Sequence, residues 1–419
     1  MNDFQYKEQE LWCEQASVRA IAEKVGTPFY LYSYRTLKNH FHVFDQAFAE
    51  IPHIICFAVK SSSNIGILRI FVAEGGGVDI VSGGELYRAM QAGVDPRKVV
   101  YSGVGKRLDE IEYALKANIL MFNVESFQEL TEINACAQRL GKKAGIALRV
   151  NPDVDPQTHP YISTGLKENK FGVNIEKAIE AYREARKMPY LDIKGVSCHI
   201  GSQVTKISPF VDALNRLKKL VYLLREEGTN IRYLDLGGGL GITYKEEQPP
   251  HPTEYAKAII DASKDMNCTF ILEPGRVIVG NAGILVTKVL YTKTNEEKNF
   301  VIVDAGMNDL IRPSLYNSYH QIQPVVIKKR KTVLADIVGP ICESGDYLAK
   351  DRNIPEFERG ELMAVMSAGA YGFTMSSNYN SRPRVAEVLV KGDRSYVIRR
   401  REMYSDIVKG EKIPIFLKV

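Results

Sequence analysis

The rhythm of apolar and polar positions changes twice along this chain. From residue 54 onward, short β-rich runs alternate with stretches of helical period. The runs are IICFAV (54–59), VDIV (78–81), KVVYS (98–102), ILMFN (119–123), GIALRV (145–150), IKGVSCH (193–199), IRYLDL (231–236) and TFILE (269–273). Between them, GELYRAMQAG (84–93), DEIEYALKAN (109–118), ESFQELTEINACAQRL (125–140) and SPFVDALNRLKKLVYLLREEG (208–228) repeat apolar residues at i, i+3, i+4 and i+7. That spacing predicts amphipathic helices packed on a sheet. Eight strand–helix units over about 220 residues predict a (β/α)₈ TIM barrel. An open doubly wound sheet is the alternative, because periodicity alone does not prove closure. Nearly every run ends on a polar residue or glycine: Lys60, Ser82, Ser102, Asn123, Asn151, His199, Gly237 and Glu273. Any one of these could simply open a loop. Eight in register favour the barrel, whose C-terminal rim is where active sites are built.

The second change comes near residue 280. ILVTKVLYTKTNEEKNFVIVDAGM (284–307) reads as two strands around a polar turn, and RVAEVLVKGDRSYVIRR (384–400) as a hairpin turning at Gly-Asp. TVLADIVGP (332–340) and ELMAVMSAG (361–369) add further strands. The expected organisation is a barrel over 30–280 followed by an all-β domain, a β-sandwich or Greek-key-like β-barrel. The first 30 or so residues are too few to fold alone, so 1–29 are expected to pack on 281–419.

Composition removes several function classes. The net charge of +5 is spread over 55 basic and 50 acidic residues, clustering only in short patches such as KKRK (328–331) and RRR (399–401). Such patches are usually solvated faces, and no nucleic-acid partner is expected. No apolar run approaches the ~18 residues of a membrane span, and the acid-bearing N-terminus MNDFQYKEQELW has no secretory h-region. The six cysteines (Cys13, Cys56, Cys136, Cys198, Cys268 and Cys342) are far apart and form no C-x-x-C. A reducing cytoplasm without a disulfide framework is expected. No Cys or His stands at ligand spacing from Cys342, so no metal is expected there.

Five stretches could carry chemistry. FAVKSSSN (57–64) puts Lys60 directly after an apolar strand, either as a rim lysine in an ion pair or as a Schiff-base nucleophile activated by desolvation. LGGGLG (236–241) ends a strand in glycines that let backbone N–H groups approach a phosphate, although any tight turn needs glycine. HIGSQ (199–203) offers His199 as a ring-stacking imidazole or a satisfied core histidine, and Ser202 as a phosphate-binding hydroxyl. EPGR (273–276) ends the eighth run with a carboxylate, a glycine and an arginine. Together these suit a phosphorylated heteroaromatic cofactor whose ring nitrogen Glu273 would keep protonated, as in pyridoxal phosphate sites. GPICESGD (339–346) sets a thiol and two acids, Cys342, Glu343 and Asp346, between Gly339 and Gly345.

The order of these motifs closely resembles the diaminopimelate decarboxylase family. The resemblance rests on FAVKSSSN, GGGVDIVSGGELYRAMQAG, YSGVGK, FNVESFQEL, LRVNPDVDPQTHPYISTG, KFGV, HIGSQ, LGGGLG, EPGR, GPICESGD and AYGFTMSSNYNSRPR, and spans about residues 25 to 410. These are pyridoxal phosphate enzymes, carboxy-lyases built from an alanine-racemase-like barrel plus a β-domain. Ser61 is the one small departure, where relatives commonly have alanine. The resemblance implies decarboxylation of meso-diaminopimelate to L-lysine and CO₂, the last step of bacterial-type lysine biosynthesis. It implies that Lys60 carries the cofactor and His199 stacks on its ring. Ser202, Gly238, Gly239 and the Gly275-Arg276 backbone would hold the phosphate, Glu273 would pair with the ring nitrogen, and Tyr371 would lie near phosphate and substrate. Arg276, Arg312 and Tyr316 would read the distal carboxylate, Glu343 the distal ammonium, and Cys342 would return the proton to Cα. The resemblance also implies a cytoplasmic homodimer in which the CESGD loop of the β-domain completes a neighbour's active site.

The reacting carboxylate should not be gripped by arginine. It loses its charge as CO₂ leaves, so a salt bridge would stabilise the ground state more than the transition state. The rival reading is a decarboxylase of ornithine, arginine or carboxynorspermidine on the same fold. An ornithine-type substrate would leave Arg312 and Tyr316 unpaired, and such groups can cost factors of roughly 10⁴ in specificity. A racemase would need a second base opposite Lys60, and nothing here matches one. A non-catalytic pyridoxal phosphate carrier on this barrel would lack the β-half; against the further alternative of a catalytically dead partner subunit, Lys60 and Cys342 are both intact.

Overall fold

The computed structural model describes residues 2–156, 170–296 and 298–417. The motif at 148–165 therefore lies partly outside the described residues. The chain divides into two compact units, Leu37–Gly280 and Met1–Thr36 with Asn281–Val419.

In Leu37–Gly280 the eight predicted runs become eight parallel strands. They are His53–Ala58, Gly77–Ile80, Val99–Tyr101, Met121–Val124, Ala144–Asn151, Leu191–Ser197, Tyr233–Asp235 and Thr269–Leu272. Each pairs with the next, and Thr269–Leu272 pairs with His53–Ala58 (Ile271 opposite Ile54), so the sheet closes. The open-sheet alternative is thereby removed. Helices follow the strands closely because side chains cap them at once. Asn64, Ser82 and Ser126 each accept a backbone N–H of the first helical turn. Ser82, counted among the rim residues, is thus a helix cap.

The two-residue period of the strands explains what lies at the barrel's C-terminal end. Val100, Met121, Ala147 and Ile271 form one apolar cluster with Cys56, and Tyr233 packs against it. Two residues further along the same strands, hence on the same face and one layer up, stand Ser102, Asn123, Arg149, Glu273 and Asp235. All five are buried. An apolar plug carries a polar layer.

The other unit is built on a mixed sheet. Its strand order is Tyr347–Pro355, Thr332–Val338, Asn299–Val303, Gly283–Thr294, Phe29–Ser33, Ala386–Lys391 and Arg394–Arg399. Leu362–Val365 also pairs with Gly283–Thr294, and Ile322–Pro324 pairs with Leu362–Val365. A small sheet of Phe4–Lys7, Glu10–Cys13 and Ala16–Ser17 shares its core, where Phe4, Leu11, Cys13 and Val18 pack with Phe29, Ile284 and Val388. This half is not purely β: Val18–Val25 is a helix that buries Val18, Ile21 and Ala22.

Phe29–Ser33 carries no alternation to announce it, because all five residues are buried. It pairs antiparallel with Gly283–Val286 and parallel with Ala386–Val390, so it exists through partners far along the chain. It also runs through residue 30, where the sequence pattern starts the barrel unit, and the β-unit continues to Thr36.

Candidate active site

Lys60 lies in the short turn Val59–Ser61 that follows the first barrel strand. Its Nζ donates to Oδ2 of Asp79, on the second strand, at 2.7 Å. The Asp79 side chain is fully buried while that of Lys60 keeps 32% exposure, so the amine is anchored by an interior charge and still open on one side. The other oxygen of Asp79, Oδ1, is buried with no hydrogen-bond partner among the described residues.

Asp79 belongs with the polar layer. Asn123 Nδ2 donates to Asp235 Oδ2 at 2.7 Å, with longer contacts of 3.1 Å to Ser102 Oγ and 3.3 Å to Glu273 Oε1. Burial raises the Asp235 carboxyl to about 6, against the hydrogen bonds it receives. Burial, then the charges of Asp235 and Asp79, push Glu273 well above the carboxylate range, with Lys60 pulling the other way. Both shifts run against full ionisation of this pair of acids. Three buried acids face one lysine, and a cation with its own N–H would relieve that imbalance.

His199 accepts the backbone N–H of Gly238 on Nδ1 at 3.1 Å. Burial, then Lys60 and Arg149, hold its pKa well below the usual value, so the ring is neutral. Gly237 and Gly239 have φ of +68° and +113°, the left-handed region that favours glycine. A Cβ on Gly238 would stand 2.2 Å from the Glu273 carbonyl, and one on Gly239 would stand 2.4 Å from the Gly201 carbonyl. Only a chain without side chains packs here. A Cβ on Gly275 would meet Ser61 Oγ at 2.9 Å, so Gly275 too is held close to the turn that carries Lys60. Arg276 donates to Ser202 Oγ and to Tyr244 Oη, each at 2.8 Å. Lys60, His199, Ser202, Gly238, Gly239, Glu273, Gly275 and Arg276 thus lie on one end of the barrel, on or just after its first, sixth, seventh and eighth strands.

The remaining candidates lie in the other unit. Arg312 opens the short helix Arg312–Tyr316 and is buried, and Tyr316 is half-buried at its end. The 339–346 loop is pinned by Asp346, which accepts the amides of Met307 and Ile341, each at 2.6 Å. Cys342 is the exposed thiol among the six cysteines, all of which are free. Glu343 is also exposed, and its hydrogen bond with Tyr379 raises the pKa of that tyrosine. Tyr371 has φ +55°, a conformation that costs a non-glycine residue about 1–2 kcal/mol and that clusters at functional sites.

Residues 34–280 match the model of the pyridoxal-dependent decarboxylase pyridoxal-binding domain. The whole chain is 52% identical to the diaminopimelate decarboxylase of Vibrio cholerae over 415 residues, covering 99% of each chain. The chain belongs to the diaminopimelate decarboxylase family. Among solved structures, that of diaminopimelate decarboxylase from Helicobacter pylori complexed with L-lysine aligns at a TM-score of 0.90 with 45% identity, covering 93% of this chain and 98% of that one. The M. jannaschii enzyme, in co-complex with L-lysine, aligns at 0.95 with 39% identity over 100% of both chains.

Several residues of this diaminopimelate decarboxylase fold escape a reading by motif alone. Asp79 and Asp235 are acids inside apolar runs, VDIV and YLDL, and that misfit is the signal that could have found them. Arg149 pairs with Glu125 at 2.8 Å with both side chains buried, and the Arg149 guanidinium also reaches the His199 carbonyl at 3.4 Å. Removing either partner would leave a buried charge, at a cost of about 3–5 kcal/mol. Tyr244 gave no signal, because only the fold brings it to Arg276.

Proposed function

We propose that this protein is a carboxy-lyase that converts meso-diaminopimelate to L-lysine and CO₂ with pyridoxal phosphate. The observation that carries the reading is Lys60, half open and held by buried Asp79, at the barrel end that also holds the acid layer and the glycine turn. The residues present fit the cofactor. Lys60 would hold it covalently through its amine. The Gly238, Gly239 and Gly275-Arg276 backbone, with Ser202, would hold its phosphate, the three glycines bringing no side chain of their own to the approach. Glu273, whose ionisation burial and the neighbouring acids oppose, would face a protonated ring nitrogen as a carboxylate. Neutral His199 would lie against the ring without adding a competing charge. When bound, pyridoxal phosphate supplies a conjugated ring that accepts the electron pair of the broken Cα–carboxylate bond.

The other roles belong to the second unit. Arg312 and Tyr316, with Arg276 from the barrel, would bind the distal carboxylate, and Glu343 the distal ammonium. Tyr371 would lie beside phosphate and substrate. Cys342 would return a proton to Cα. Exposure of Cys342 and Glu343 supports a homodimer in which this loop serves the neighbouring subunit's site. A thiol donor has to stay reduced, which supports a cytoplasmic setting.

The test is direct. Purified protein should be yellow, borohydride should fix the cofactor on Lys60, and CO₂ should be released from meso-diaminopimelate. Lys60→Ala that still released CO₂ would contradict the mechanism.

A further inference from the structure

Arg312 is held by a histidine whose own proton is fixed. His320 is fully buried, on the segment between the helix Arg312–Tyr316 and the strand Ile322–Pro324. Its Nδ1 is 2.9 Å from the Met366 carbonyl, and its Nε2 is 2.9 Å from Arg312 Nη1. A carbonyl only accepts and a guanidinium only donates. Nδ1 must therefore carry the proton, and Nε2 must present its lone pair. The ring can satisfy both neighbours in one state alone, neutral with the proton on Nδ1. Ser318 Oγ takes a second, longer hydrogen bond from Arg312 Nη2 at 3.4 Å. The anchor itself is fixed, because the Met366 amide donates to the Gln321 carbonyl at 2.8 Å, beside the pairing of Ile322–Pro324 with Leu362–Val365.

We propose that His320 is a positioning residue for substrate selection: it aims the fork of Arg312 at a carboxylate, and so sets the preference for a substrate with a distal carboxylate. The substrate half of this inference rests on the function proposed above; the ring's hold on Arg312 does not. The distal carboxylate keeps its charge throughout the reaction. Arg312 therefore binds ground and transition state alike, and misaiming it should raise KM while leaving kcat nearly unchanged. A role confined to folding would instead lower the fraction of active enzyme and leave KM alone.

Two substitutions separate the halves of the imidazole. Glutamine places an amide oxygen near the position of Nε2 and can still accept from Arg312. Asparagine places an amide nitrogen near Nδ1 and keeps only the Met366 anchor. His320→Gln is expected to stay within about threefold of wild type in KM for meso-diaminopimelate. His320→Asn should raise KM by about 10–100-fold, the loss of one charge-assisted hydrogen bond. In an Arg312→Ala background, His320→Asn should add nothing further. Equal effects of the two variants, the reverse order, or full additivity with Arg312→Ala would overturn the proposal. Should either variant fold poorly, ¹⁵N-histidine NMR of the wild-type holoenzyme decides instead. His320 should show protonated Nδ1 and bare Nε2, and protonated Nε2 would overturn the assignment. Wild-type enzyme with the expected ring state but no turnover of meso-diaminopimelate would sink the functional reading and the substrate role, and would leave the hold on Arg312 standing.

Discussion

Lys60 and Cys342 occupy opposite kinds of surroundings. Lys60 meets Asp79 within a layer of side chains that hydrogen-bond one another, above an apolar plug. Cys342 stands open to solvent, on a loop whose only buried acid, Asp346, is committed to two backbone amides. The barrel end has the marks of a preorganised site, with its polar side chains already hydrogen-bonded to one another and its buried acids in need of one more cation. The loop is rigid in its backbone and bare in its chemistry. Exposed Cys342 and Glu343 can be altered with little effect on the fold, whereas changes in the barrel's polar layer should cost stability.

That contrast predicts different penalties. Cys342→Ala should lower kcat by about 10²–10⁴-fold, the usual worth of a positioned proton donor. It should leave thermal stability within about 0.5 kcal/mol of wild type, because the side chain is exposed. Mixing this variant with Lys60→Ala should restore part of the activity through hybrid dimers; no rescue would count against a shared site. Glu273→Gln should cost about 10²–10³-fold in kcat by removing the charge that would face the ring nitrogen. It should also change stability measurably, because a neutral amide replaces a carboxyl whose ionisation is opposed by burial and by the charges of Asp235 and Asp79. Unchanged stability would mean that the acid layer is less coupled than its geometry implies.

A smaller effect concerns pH. Burial raises the Asp309 carboxyl from 3.8 to about 7. A carboxyl whose folded value is raised binds more protons when folded, so its contribution is full below about pH 4 and is lost as pH rises through 7. Asp309→Asn should flatten that decline in the pH dependence of unfolding. A slope unchanged between pH 4 and 7 would show that Asp309 does not titrate as its burial requires.

The barrel was legible because its signals are local. Period-two strands, 3.6-period helices and polar strand ends all lie within a few residues of one another, and Lys60, Glu273 and the glycine turn are each announced by the apolar strand that they follow. What stayed hidden depends on distant partners. Phe29–Ser33 becomes a strand only between Gly283–Val286 and Ala386–Val390. Asp79 reads as part of an apolar run until the fold brings it to Lys60, and His320 carries no motif beyond its neighbours. Charges that matter only when buried together are the part a linear pattern conveys least.

Under the proposed function the substrate is an amino acid carrying a second, distal head group. The most direct measurement is CO₂ release from a panel of meso-diaminopimelate, ornithine, arginine and lysine at equal concentration. Turnover confined to meso-diaminopimelate is the expected result; strong turnover of ornithine alone would contradict the assignment of Arg312 and Tyr316 to a distal carboxylate.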